Sequence, residues 1–334
     1  VALSSDANAL AVSGTDLFVG GTFTTAGGSS ANRIAKWNGS TWSALGTGVA
    51  NKVNALALSG TDLYVGGSFL TPGRAIAKWD TTSSTWSALG AGLDTRVNAL
   101  ALAGTNLYVG GLFTRIFNGT SGTLNRIAKW DTATSTWSAL GSGADNGVGA
   151  EVRALAVSGS GEVFVGGSFT TAGGNPAYRI TSWSNSAWSA LGSGMDNSVK
   201  ALAVSGSKLY LGGDFLSAGS VWANRIVQWD GSTWSALGAG LNNAVRALAV
   251  YGTDLYVGGN FTANQGGTVG TLKNIAKWNG STWSSLGTGM DAFVNALAVS
   301  STGDLYAGGA FSSPASYIAK WNGSAWSALG TGMS

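Results

Sequence analysis

The 334-residue sequence contains no cysteine and no histidine. The first absence removes disulfides, thiol nucleophiles and cysteine-based zinc sites, and the second removes imidazole acid–base chemistry. Glutamate occurs only as Glu151 and Glu162, so a glycosidase-like pair of carboxylates ~5–10 Å apart has few candidates. Charged residues make up 10% of the chain, and the net charge of +3 comes from 18 basic and 15 acidic side chains scattered singly. The calculated pI of 9.1 therefore marks no polybasic patch, and nucleic acid is not an expected partner. No apolar run approaches the ~20 residues of a membrane helix, so insertion in a membrane is not expected either. The chain begins at Val1 with no basic and apolar leader, which reads as a mature or excised segment.

What is present is glycine, 53 residues against 3 prolines, in a sequence that is 44% hydrophobic. That balance suits sheets stacked face on face with tight turns. The stretch 53–92, VNALALSGTDLYVGGSFLTPGRAIAKWDTTSSTWSALGAG, recurs throughout. Its copies start near Asn8, Asn54, Asn98, Arg153, Lys200, Arg246 and Asn295, at spacings of 46, 44, 55, 47, 46 and 49 residues. Seven units of this length, each reading as four short strands, predict an all-β fold: a seven-bladed β-propeller with four antiparallel strands per blade. One domain over 1–334 follows, with blades at about 7–49, 50–93, 94–144, 145–195, 196–241, 242–290 and 291–334.

Within a copy, the opening strand alternates Ala with Leu or Val, as in Ala55, Leu56, Ala57 and Leu58, which predicts an innermost strand buried on both faces. A Ser-Gly-Thr-Asp hairpin leads into DLYVGG. The doubled glycine implies a bulge or a neighbouring ring laid against the backbone. After a variable loop comes RIAKW, then an Asn-Gly turn that favours a type I′ hairpin, then TWSALG. Fourteen of the 15 tryptophans occupy these two places. A buried Trp hides ~150–250 Å², roughly 4–6 kcal/mol, so two per blade can hold blades together, or some can serve as platforms for sugars.

The doubled Gly, the aromatic closing the third strand and the Trp opening the fourth resemble the kelch repeat in all seven copies. NALAV, DLYVGG, IAKW and WSALG are closer in wording to kelch-like repeats of secreted bacterial propellers and of fungal cortical polarity-marker proteins. The resemblance implies a propeller, in groups that include binding modules, oxidases and structural proteins. The copper ligands of the oxidases would need the absent His and Cys.

In such a blade the loop between strands two and three shares a face with the connector to the next blade, and the hairpins lie opposite. Those loops span 12, 8, 15, 12, 12, 15 and 8 residues, and variable loops on a rigid frame are where specificity sits. Arg115, Phe117, Tyr178, Arg179, Trp222 and Arg225 are the candidate ligand-binding residues, as arginines beside non-repeated aromatics. Either they contact a carbohydrate or peptide, or they only pin the loops.

The connectors carry Asp94, Asp145, Asp196, Asn242 and Asp291, with Asn51 displaced by one and Asp6 as the seventh. Such a ring of acids is a candidate metal site that would take calcium through oxygen ligands; the competing reading has each acid capping its own turn. No other cofactor is expected. Asp214 is placed by topology to meet a connector Asp. Both termini are expected on the loop face, the seventh blade taking all its strands from the C-terminal end, and residues 1–4 read as the remnant of an outer strand.

The expected function is that of a non-catalytic extracellular or cell-surface module for binding or adhesion, its partner a glycan or surface protein, with carbohydrate the first class to test. A purely structural unit of a surface layer, filament or larger protein is the alternative, and a polysaccharide-acting enzyme domain the second. The oligomeric state is open.

Overall fold

The computed structural model describes residues 2–118, 124–143, 146–268 and 270–330. Seven four-stranded antiparallel sheets follow one another along the chain. In the second blade they are Val53–Ser59, Asp62–Gly67, Ile76–Asp80 and Thr85–Ala88. The seventh blade takes all four strands from the C-terminal end, Val294–Val299 to Trp326–Ala328. Among the described residues three blades add a two-stranded flap in the loop between strands two and three.

The seven opening strands surround a central channel whose narrow part, about 200 Å³, is lined by alternating Ala and Leu such as Ala55 and Leu56. This alternation is buried on one side only: Ala55 and Ala57 are covered while Leu56 and Leu58 are half-buried. The Leu side faces the preceding sheet and the channel, as Leu100 stands against Gly66, and the Ala side faces the following blade, so the two faces are covered unequally.

The core lies between blades. Phe23, Phe69, Phe113, Phe169, Phe215, Phe261 and Phe311 are fully buried. The two tryptophans of each blade face each other across strands three and four, with ring centroids 4.5 Å apart for Trp229 and Trp234 and 5.4 Å for Trp37 and Trp42. In six blades the indole N–H of the fourth-strand Trp donates to the Leu carbonyl ending the preceding blade, for example Trp86 to Leu45 at 3.0 Å. These rings are therefore built into the seams, the fourth-strand ones half-buried there.

The doubled glycine is explained by its neighbours. A Cβ on Gly66 would stand 2.5 Å from Val97 Cγ1 of the following blade, and one on Gly67 would strike the Lys52 carbonyl oxygen. The tightest contacts are a valine and a backbone, with the Phe69 ring 3.0 Å from the Gly67 Cβ position as well. The bulge lies on the partner strand, where Val53 pairs with Gly67 and Ala55 with Gly66, leaving Asn54 as the extra residue.

The Asn-Gly turns are not type I′. In the first blade Asn38 to Thr41 form a four-residue loop between the paired Trp37 and Trp42, the Asn38 Oδ1 accepting from the Ser40 and Thr41 amides. Only Gly39 there has positive φ, +97°. Two consecutive positive φ angles, as type I′ requires, occur instead at Asn185 and Ser186, 49° and 59°.

Candidate binding face

Connector and loop do share a face, joined by hydrogen bonds. The Asp94 Oδ1 accepts from the Thr114 amide at 2.9 Å and its Oδ2 from the Thr114 hydroxyl at 2.9 Å. Asp196 does the same for Leu216 and Ser217, Asn242 for Thr262 and Ala263, and Asp291 for Ser312 and Ser313. Each acid thus caps the loop of the blade it enters, about twenty residues on, and not its own turn. The seventh such place belongs to Ser4, whose hydroxyl accepts from Thr24 and Thr25, so Asp6 falls two positions later. Leu3 bridges Ala26 as Leu93 bridges Ile116, which makes this segment a connector rather than a remnant of an outer strand. Asp145 lies outside the described residues. Among the described residues no three His, Cys, Asp or Glu side chains gather into a group able to hold a metal ion, and Asp94, Asp196 and Asp291 are each occupied by their loops.

The loop residues separate into two kinds. Phe117 is half-buried with the Arg74 guanidinium stacked 3.4 Å above its ring, and Arg115 turns back to Asp94 at 3.5 Å, so both secure the third-blade loop. Arg179 and Arg225 sit at φ of 66° and 75°, as do Arg33, Ala75, Arg126, Asn274 and Tyr317 at the same place in the other blades, at 61° to 68°. The recurrence marks a left-handed residue at the entry to the third strand. Its amide donates to the buried Phe carbonyl, and its carbonyl accepts from the second glycine, as Arg33 does with Phe23 and Gly21. Tyr178 and Trp222 are open to solvent, 47% and 73% exposed. They belong to adjoining loops: Met195 donates to the Tyr178 carbonyl and bridges Ala218, which pairs with Val221 beside Trp222.

The channel mouth on this face was not singled out from the sequence. It is a cavity of about 630 Å³ lined by Asp6, Asn8, Lys52, Asn54, Ser68, Arg96, Asn98, Glu151, Arg153, Lys200, Arg246, Phe293 and Asn295. Seven of these, Asn8, Asn54, Asn98, Arg153, Lys200, Arg246 and Asn295, are the bulged residues of the seven opening strands. A bulge takes its extra residue out of the pleat and re-aims the side chain, here into the mouth. The signal in the sequence was a polar residue interrupting an apolar strand at the same place in every copy.

The ring is asymmetric. Blades 4, 5 and 6 contribute Arg153, Lys200 and Arg246, and the other four contribute Asn. With Lys52 and Arg96, five cations line the mouth against Asp6 and Glu151. Glu151 is clamped by Arg153 at 2.6 Å, Arg96 at 2.8 Å and Asn98 at 3.0 Å. Asp214 meets Lys200 at 2.7 Å and Ser198 at 2.9 Å, not a connector Asp, and Arg225 reaches its carbonyl at 3.3 Å. Burial acts to raise the Asp214 carboxyl, but the hydrogen bonds from Lys200 and Ser198 outweigh it and hold the group below the usual carboxylate range. Half-buried Arg246 rests 4.8 Å over the Phe293 ring and bonds Asn260 and Asn295, with no carboxylate in an ion pair among the described residues; burial pulls its pKa down. The Asn8 amide nitrogen is buried without a partner.

A family model described as the Rax2 C-terminal beta propeller domain matches residues 176–334, just under half of the chain. Rax2 is a fungal cortical polarity marker, so this part of the expected resemblance is borne out, while the kelch-like wording gains no support. No curated protein matches the sequence. Among solved structures, the computationally designed Ika8 protein is 21% identical, with TM-score 0.57 over 95% of this chain and 83% of that one. The WD40 beta propeller domain of Doa1 is 13% identical, with TM-score 0.60 over 92% and 90%. The extracellular domain of BT4673 from B. thetaiotaomicron is 11% identical, with TM-score 0.64 over 95% of this chain and 38% of that one. At these identities the likeness is one of fold.

Proposed function

We propose that the chain is a non-catalytic binding or adhesion module that holds an acidic carbohydrate on its loop face, across blades 4 to 6. The observation that carries this reading is a coincidence of two features in one sector. The bulged cations Arg153, Lys200 and Arg246 and the exposed rings of Tyr178 and Trp222 all come from blades 4 to 6. Arg153 and Lys200 are already paired with Glu151 and Asp214, so Arg246, outside any ion pair among the described residues, gains most from an incoming anion in a partly desolvated site. Asn side chains supply donors and acceptors for hydroxyls, and an exposed ring supplies a stacking face.

The non-catalytic part rests on the state of the acids. Glu151 is clamped between Arg96 and Arg153, and Asp214 is held below the usual carboxylate range by its bonds from Lys200 and Ser198, whereas glycoside hydrolysis needs one carboxyl kept protonated. The likeness to an extracellular domain and to a cortical marker supports a position outside the cell or at its surface, with a glycan or a glycosylated surface protein as partner.

The test is calorimetric titration with tetragalacturonate, cellotetraose and hexaglutamate. The reading expects the acidic sugar to bind, at least tenfold weaker binding by Arg246→Ala or Lys200→Ala, and marked weakening in 1 M salt. Preference for the neutral sugar or the acidic peptide rejects the ligand class. Loss of all binding together with self-association would favour a structural unit.

A further inference from the structure

A second cavity, of about 520 Å³, lies between blades 4 and 5 beneath the hairpins, away from the loop face. Its origin is visible by comparing blades. In blades 1, 2, 6 and 7 a third-strand lysine reaches the acid at the start of the second strand: Lys36 to Asp16 at 3.2 Å, Lys78 to Asp62 at 3.1 Å, Lys277 to Asp254 at 2.9 Å and Lys320 to Asp304 at 2.8 Å. Each lysine stands opposite an aromatic in the strand register, as Lys36 opposes Phe18 and Lys78 opposes Tyr64, so its alkyl stem crosses that ring.

Blade 4 keeps the acid and the ring but not the lysine. Glu162 holds the acid's place, Phe164 the ring's, and Ser182 stands opposite Phe164 where the lysine would be. All three line the cavity, with Leu191, Leu209 and Trp229 adding apolar wall. Blade 5 puts Lys208 at the acid's place, on the rim of the same cavity. Among the described residues neither the Glu162 carboxylate nor the Lys208 ammonium has a hydrogen-bond or ion-pair partner.

We propose that this cavity binds a primary ammonium carried on an unbranched apolar stem, with the ammonium at Glu162, the stem along Phe164 and Trp229, and a distal carboxylate, where there is one, at Lys208. The ligand supplies from outside the group that four sister blades supply from within. A short ω-amino acid has all three parts. A lysine side chain on a peptide has the first two.

The experiment titrates the full chain by calorimetry with 6-aminohexanoate, pentylamine, hexanoate and Nα-acetyl-lysine methylamide. Saturable binding of 6-aminohexanoate is expected, with hexanoate inert. Glu162→Gln should weaken it at least tenfold, and Lys208→Ala should weaken 6-aminohexanoate while leaving pentylamine unchanged. The deciding variant is Ser182→Lys, which rebuilds the sister-blade ion pair: it should keep or raise the melting midpoint and abolish binding. Tighter binding of the blocked lysine than of 6-aminohexanoate would identify a peptide-borne source of the same chemistry. The proposal is overturned by no saturable binding of any amine, by hexanoate binding as well as 6-aminohexanoate, or by a folded Ser182→Lys protein that binds like the parent. None of these outcomes bears on the acidic-sugar reading of the opposite face.

Discussion

The indole N–H of Trp42 donates to the carbonyl oxygen of Leu329 at 3.0 Å, joining positions 287 residues apart. It is the same bond that Trp86 makes to Leu45 and Trp137 to Leu89. The seam that shuts the ring is therefore made like the seams inside it, with no exchanged strand. The Asn295 amide adds a bond to Asn8 beside it at 3.2 Å.

Replacing Trp137 by Phe removes that donor and leaves the Leu89 carbonyl without it, for an expected loss of about 1 kcal/mol. Trp234 has no acceptor for its indole nitrogen, so Trp234→Phe should cost measurably less. Trp137→Ala, which also removes a half-buried ring, should cost about 3 kcal/mol. Chemical denaturation of the three variants ranks them; equal losses for the two Phe variants would mean that the bond adds nothing.

The two glycines of a pair should differ in their sensitivity. In Gly66→Ala the new methyl meets Val97, a side chain that can shift, whereas in Gly67→Ala it meets the Lys52 carbonyl. A loss of about 1–3 kcal/mol is expected for the first and more for the second. Thermal unfolding of the two alanine variants checks the order.

Stability should fall at both ends of the pH range through identified groups. Asp214 has a lowered folded pKa, so its contribution is present above the ordinary value of 3.8 and is lost as pH falls through the folded one. The acid limb of the profile should be shallower in Asp214→Asn. The Tyr64 phenol is pushed up to about 12 by burial, with the Asp62 charge adding to it. Below pH 10 the phenol is neutral in both states and costs nothing; between pH 10 and about 12 only the unfolded chain ionises, and stability falls. Tyr64→Phe should flatten that limb in part, since burial also raises Tyr108, Tyr210, Tyr256 and Tyr306.

Trp222 is 73% exposed, opposite Ser217 in a two-stranded flap. Trp222→Ala should leave the melting midpoint unchanged within about 0.5 kcal/mol, and an acidic oligosaccharide should bind the variant more weakly. A large loss of stability would show that the ring is packed in solution.

The fold was legible because each blade repeats its instructions: the Ala/Leu strand, the doubled Gly and the Trp pair occur seven times, so chance departures in one copy are outvoted by the others. The site was less legible for the same reason. Asp94 and Asp196 recur because they cap loops, and recurrence alone does not tell a cap from a ligand. Arg179 and Arg225 recur at a backbone position of positive φ, which a run of letters does not display. The bulged ring was present in the sequence as Asn8 to Asn295, but a polar residue at the start of a strand looks like an ordinary strand edge until the register shift beside it is seen. Departures from the repeat carry a different kind of information: Trp222 is the one Trp outside the paired positions, and Ser182 and Lys208 stand where four blades carry a lysine and an acid.

A wheel of seven equivalent spokes offers a guest seven indistinguishable ways to dock. Arg or Lys in place of Asn at three neighbouring bulges removes that degeneracy: where Asn54 and Asn98 donate across the seam to the Val97 and Val152 carbonyls, Arg153, Lys200 and Arg246 line the opening with charge. A ring with one charged arc has a single azimuth, so a guest that reads charge would meet it in one orientation.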